Sequence, residues 1–287
     1  MTQIQREFTR DLTLIGAYCT ALADTGRRNE GLRNFENAYR NAKSRPMPER
    51  VALIRWLSDL YPKTAEGASE LSAYVNRISD DNPTVIDLIE VARTWDSVGG
   101  EDGLQSAVDT ARIAAGIDAD DVETASALGL LGVLLTKSED CDGALDAFER
   151  ALALRRTDPQ LLNNIAFLMS KCDGDLDLAL ERAAQAIKES PYRPEYRDTL
   201  GAVHLARARK ESDRELQARE YRQARQELYL SARLGTLPSP LLQLAELEIE
   251  VGNYDKARES LRRAGDRNPN AEVQERIDEL LEQIKGR

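Results

Sequence analysis

The amino-acid sequence predicts an all-α protein: a right-handed α-solenoid of about seven antiparallel helical hairpins, ending in a C-terminal capping helix. Three observations predict it. Small and large apolar residues recur in one order with a period of roughly 34 residues, the length of a stacked helical hairpin. Aromatic residues make up only 5% of the chain while Ala, Leu, Glu and Arg are abundant, the composition of helix packed on helix. No run of alternating β-branched residues reads as a strand.

The fullest copy of the pattern comprises Leu244-Ala245, Gly252-Asn253-Tyr254, Ala257, Leu261, Ala264 and Pro269. Its spacing has a packing reason. Small residues let the two helices of a hairpin approach, a larger apolar residue fills the gap between hairpins, and proline stops the second helix. Gly252-Asn253 supplies the tight turn. At these residues the chain resembles the tetratricopeptide-repeat family, and the resemblance implies a scaffold with a concave groove for another protein.

Upstream, Gly132, Ala144, Phe148 and Ala151 repeat the spacing, with Leu128, Leu131 and Leu135 as the apolar stripe of the first helix. Ala166, Ala179, Ala183, Ala186 and Pro191 follow, with one extra residue in the Asp173-Gly174-Asp175 turn. Leu200-Gly201, Ala224, Leu228 and Ser231 make a copy with a longer insertion. Nearer the start, Ala92, Gly99, Val108 and Ala111 fit, as do Cys19, Gly26, Gly31, Phe35 and Ala38, whereas Glu49 to Asn82 carries two helical patterns that match poorly. The expected organisation is degenerate hairpins over residues 1–118, more regular ones over 119–269 with a projecting insertion near 205–223, and a cap over 270–287. In that cap Val273, Ile277, Leu280, Leu281 and Ile284 form one apolar face.

A net charge of −11 argues against a general nucleic-acid or anionic-membrane surface. No apolar run approaches the roughly 20 residues needed to span a bilayer, so direct membrane insertion is not expected. Met1 to Arg10 lack the plan of a signal peptide, and the helical pattern begins almost at once, as in a piece of a longer chain. Cys19, Cys141 and Cys172 are too few for a disulfide framework. Cys141 and Cys172 lie near the turns of successive hairpins; they are read as two unrelated thiols, with spatial proximity as the alternative. Odd, sparse cysteines favour a reducing, cytoplasmic setting, with an envelope-associated one open if the chain is a fragment.

No catalytic constellation emerges, and no enzyme, cofactor or metal is expected. His204 is the single histidine and lacks a nearby nucleophile to activate, so it is assigned to packing with one nitrogen hydrogen-bonded. Around Asp173, Asp175 and Asp177 the glycine stands in the wrong place for a calcium loop, and Leu178 and Ala179 follow where oxygen ligands should continue; the aspartates read as an N-terminal cap on a helix starting near Leu176. Gly99-Gly100-Glu101-Asp102-Gly103 follows a helix and has no lysine for a phosphate loop, which makes it a turn.

Candidate partner-binding residues lie on first helices. Asn163, Phe167 and Ser170-Lys171 share one stripe, pointing away from Leu162, Ile165 and Met169. Lys137 on the preceding hairpin and Asp198 on the following one extend it, and Asn164 adds a second amide. An exposed Phe167 beside amides and ammonium groups suits an extended peptide of acidic or carboxylate-terminated character; Phe167 packed against a neighbouring hairpin is the alternative. The carboxylate clamp of tetratricopeptide co-chaperones is not matched: Asn164 fits one amide of that set, but Gly129, Val133, Glu195 and Thr199 stand at its other positions. The insertion offers a secondary basic surface, Arg214, Arg219, Arg222 and Arg225, with Ser212 and Glu215 spaced as a capping box. The function expected is a non-catalytic scaffold that binds a peptide or helix of a partner protein. The alternative is a structural or oligomerisation module supporting a domain outside this chain.

Overall fold

Thirteen α-helices and no strand occur among residues 12–41 and 83–287, the residues described by the structure, a computed structural model. The patterns expected over Met1 to Arg10 and Glu49 to Asn82, and the side chain of Phe35, lie outside the described residues. The chain divides into two units, Met1–Arg155 and Arg156–Arg287.

In the first unit the helices pair in sequence order: α1 (Leu12–Asp24) with α2 (Arg28–Asn41), α3 (Val85–Val98) with α4 (Gly100–Ala115), and α5 (Asp121–Lys137) with α6 (Cys141–Leu154). Helix α3 starts at a capping box, in which Thr84 accepts from the Asp87 amide and Asp87 accepts from the Thr84 amide. It ends at Gly99 and Gly100, whose φ angles of 75° and 71° reverse the chain within two residues, where a side chain would be strained. The expected turn is therefore found. Val85, Leu88, Ile89, Ala114 and Ala127 close a core across α3, α4 and α5. Gly132 of α5 faces the Phe148 ring of α6; a Cβ there would lie 2.6 Å from the ring.

In the second unit α7 (Pro159–Lys171) pairs with α8 (Leu176–Glu189), α9 (Pro194–Lys210) with α10 (Arg214–Leu234), and α11 (Ser239–Glu250) with α12 (Tyr254–Gly265); α13 (Ala271–Gln283) follows. Aspartates set the starts: Asp158, Asp175 and Asp213 each accept two backbone N–H groups of the helix that follows. Asp175 thus caps the helix that begins at Leu176, as expected. Asp213, rather than Ser212, caps α10, because a carboxylate also complements the positive helix end.

The insertion lengthens both helices of its hairpin, α9 to 17 residues and α10 to 21, against 12 each for α11 and α12. Gln217 ties the extension back by donating to the Ala208 carbonyl. Gly201 meets Leu228 as Gly132 meets Phe148, with only 2.6 Å for a Cβ. The last core joins Leu228, Leu241, Leu244, Ala257 and Leu261 to Ile277, Leu280 and Ile284 of the C-terminal segment. Val273 packs at its edge, but Leu281 is 39% exposed and does not belong to the buried face.

Candidate protein-interaction surface

Helix α7 carries four of the sequence-derived candidates, and the fold places them at three depths. Asn163 is buried, 9% exposed, not on an outward stripe as expected. Close helix packing leaves its Oδ1 buried with no hydrogen-bond partner. Asn164 and Phe167 are half-buried. Phe167 is therefore neither the exposed residue expected nor a core residue. Lys171, one turn on, is exposed and holds its Nζ 5.3 Å from the Phe167 ring centroid, so ring and ammonium form one shelf.

Asp198 of α9 does not offer a free carboxylate. It accepts from the Ser239 hydroxyl and from Gln243 Nε2 at 2.9 Å, joining α9 to α11. Burial pushes its carboxyl up to about 6; the Ser239 hydrogen bond opposes that rise and the charge of Glu195 adds to it. In the first unit, Lys137 is ion-paired: its Nζ lies 2.6 Å from Asp96 of α3.

Ion pairs tie up other basic residues of this hairpin, whereas among the described residues only one of the four arginines expected as a basic surface, Arg225, is paired. Arg207 binds Asp177 and Glu220, Arg209 binds Glu246 and Glu250, and Lys210 lies 2.9 Å from Asp173. Arg225, expected to be free, reaches Glu248 at 2.6 Å and 3.1 Å with two nitrogens, and Asn253 donates to the same carboxylate. These contacts hold the Glu248 carboxyl below its usual range against the opposing effect of its burial. Arg214, Arg219 and Arg222 remain exposed. A cleft of about 230 Å³ is lined by Asp175, Asp177, Arg207, Lys210, Glu211 and Glu220, and within it Arg207 pairs with both Asp177 and Glu220. His204 Nδ1 lies 2.6 Å from Glu220 Oε2, the packed and hydrogen-bonded role expected.

Cys19 is a buried free thiol that burial pushes up to about 11, far from a reactive thiolate. Cys141 and Cys172 are not free thiols, which corrects the reading of each as a thiol and removes the cysteine argument for a reducing compartment. Among the described residues no helix is long and apolar enough to cross a membrane, and no cluster of three or more His, Cys, Asp or Glu could hold a metal ion.

No protein-family model matches the sequence, nor does any curated protein. Solved structures do. A tetratricopeptide-repeat protein from Parabacteroides merdae is similar at a TM-score of 0.65 and 14% identity, over 95% of this chain and 98% of that one. A chain of the Cut9–Hcn1 hetero-tetramer of the APC/C is similar at 0.57 and 17% identity, over 96% of this chain and 49% of that one. A thermophilic tetratricopeptide-repeat protein of Thermus thermophilus is 26% identical over 56% of this chain and 83% of that one, at a TM-score of 0.53. Hairpins in series, glycine set against Phe148 and Leu228, and these likenesses together give the chain the tetratricopeptide-repeat fold.

Proposed function

We propose that the chain is a non-catalytic interaction scaffold whose second unit holds an extended segment of a partner protein along α7. The observation that carries this reading is the shelf on α7, where the exposed Lys171 ammonium lies 5.3 Å from the centroid of the half-buried Phe167 ring. The ring suits an apolar side chain of the segment, the half-buried Asn164 offers an amide to its backbone, and the exposed ammonium of Lys171 suits a carboxylate. Asp198 serves instead to hold α9 against α11. Lys137, engaged by Asp96, drops out of the reading. The hetero-tetrameric assembly of Cut9–Hcn1 supports the general role and names no partner for this chain.

The test compares immobilised parent, Asn164→Ala and Lys171→Glu chains for the proteins each retains. Both variants should lose at least about tenfold of a partner held by the parent. Their stability should stay within about 1 kcal/mol of it, because Asn164 is only half-buried and Lys171 is exposed. Equal retention by all three chains would contradict the proposal.

A further inference from the structure

Helix α10 presents a line of unpaired positive charge along its whole outer side. Arg219, Arg222, Gln226, Tyr229 and Arg233 stand three or four positions apart, opposite the buried Ala224 and Leu228, and all five are exposed. The contrast with the rest of the hairpin is sharp. Arg197, Arg207, Arg209 and Arg225 all bind carboxylates, whereas Arg219, Arg222 and Arg233 make no ion pair among the described residues. Glu215, the one acidic residue on the same line, stays exposed without closing on Arg219. Arg233 instead lies 5.9 Å from the Tyr229 ring centroid, which fixes a planar guanidinium beside a phenol.

We infer that this outer face of α10 is a docking surface for an acidic segment of a partner protein. From Arg219 to Arg233 the stripe spans about 21 Å at the helical rise, a length that an extended segment covers in roughly six or seven residues. Guanidinium groups pair two oxygens at a time with carboxylates, Gln226 offers amide donors between them, and the Tyr229 hydroxyl can donate to the same segment. The overall charge of −11 selects the size of the partner. A nucleic acid would bring dense phosphate charge against the whole acidic protein, whereas a short acidic segment meets only the local stripe. The surface lies on a second helix and is independent of the α7 reading, so its failure would leave that reading untouched.

The probe is a fluorescein-labelled octaglutamate peptide, followed by anisotropy against the full chain and compared with a labelled single-stranded oligonucleotide of similar length. The comparison variant is Arg219→Gln/Arg222→Gln/Arg233→Gln. The control, Arg93→Gln/Arg112→Gln/Arg150→Gln, makes the same change in net charge at exposed arginines of the first unit that pair within their own helices. Parent and control should bind the peptide, with affinity falling between about 50 and 200 mM salt as the charges are screened. The stripe variant should bind at least about tenfold more weakly while melting like the parent. The inference is overturned if the parent does not bind, if the stripe variant binds as well as the parent, if the control loses as much, or if the oligonucleotide binds at least as well as the peptide.

Discussion

At Gly132 and Gly201 the absence of a side chain has a specific cause: the Phe148 ring and the Leu228 methyl groups occupy the place of a Cβ. Both contacts were legible in the sequence because a small residue and a large one recur at fixed spacing. The environment of Asn163 was not legible. Helical spacing places it away from Leu162 and Ile165, but how closely neighbouring elements approach decides whether that side is open, and here it is buried. Asp198 was misjudged for the same reason, since Ser239 and Gln243, 41 and 45 residues on, close over it. That burial makes a testable pH dependence. The carboxyl rises from 3.8 to about 6 on folding, so between those values the folded state keeps a proton that the unfolded state has lost. Stability from this group is therefore intact below the lower value, falls through the window as pH rises, and is fully lost above about 6. Relative to Asp198→Asn, the parent should gain on the order of 2 kcal/mol when urea melts are repeated at pH 4 instead of pH 7. Parallel pH profiles for the two proteins would show that the carboxyl titrates normally.

Among the elements, helix starts and the C-terminal cap followed directly from local chemistry. Asp175 at the start of α8 and Gly99-Gly100 between α3 and α4 could be assigned because caps and left-handed turns depend on a few neighbouring residues. Adjacent candidates were harder to separate, as Ser212 and Asp213 show. The cap was legible for Ile277, Leu280 and Ile284, which repeat at three- and four-residue spacing and are buried, and not for Leu281, which falls on the flank of that face. Because these three side chains complete the core of the last hairpin with Leu261, deleting residues 271–287 should expose that core. The truncated chain should melt at a clearly lower temperature and lose more helicity by circular dichroism than the deleted helix itself accounts for. Loss of a stable dimer in light scattering, with helicity otherwise retained, would instead identify the face as a contact between two chains.

On the scale of the whole molecule, the fold class was readable because a repeated hairpin writes the same packing rule many times along one sequence. The distribution of charge was not, because ion pairs form between helices of neighbouring hairpins. Arg209 and Glu250 are 41 residues apart and Arg207 and Asp177 are 30, close to one repeat period, and opposite charges at that spacing are the signal that could have found them. Once those pairs are formed, two surfaces stand out: the α7 shelf built on Asn164, Phe167 and Lys171, and the arginine line of α10. The central claim is that a partner lies along the first helix α7. Hydrogen exchange of the chain with and without its retained partner tests it most directly, by reading amide protection helix by helix. Binding should slow exchange across Pro159–Lys171, with a smaller effect on the paired second helix Leu176–Glu189. A bound partner that adds no protection to Pro159–Lys171, whatever it does elsewhere, would contradict the claim.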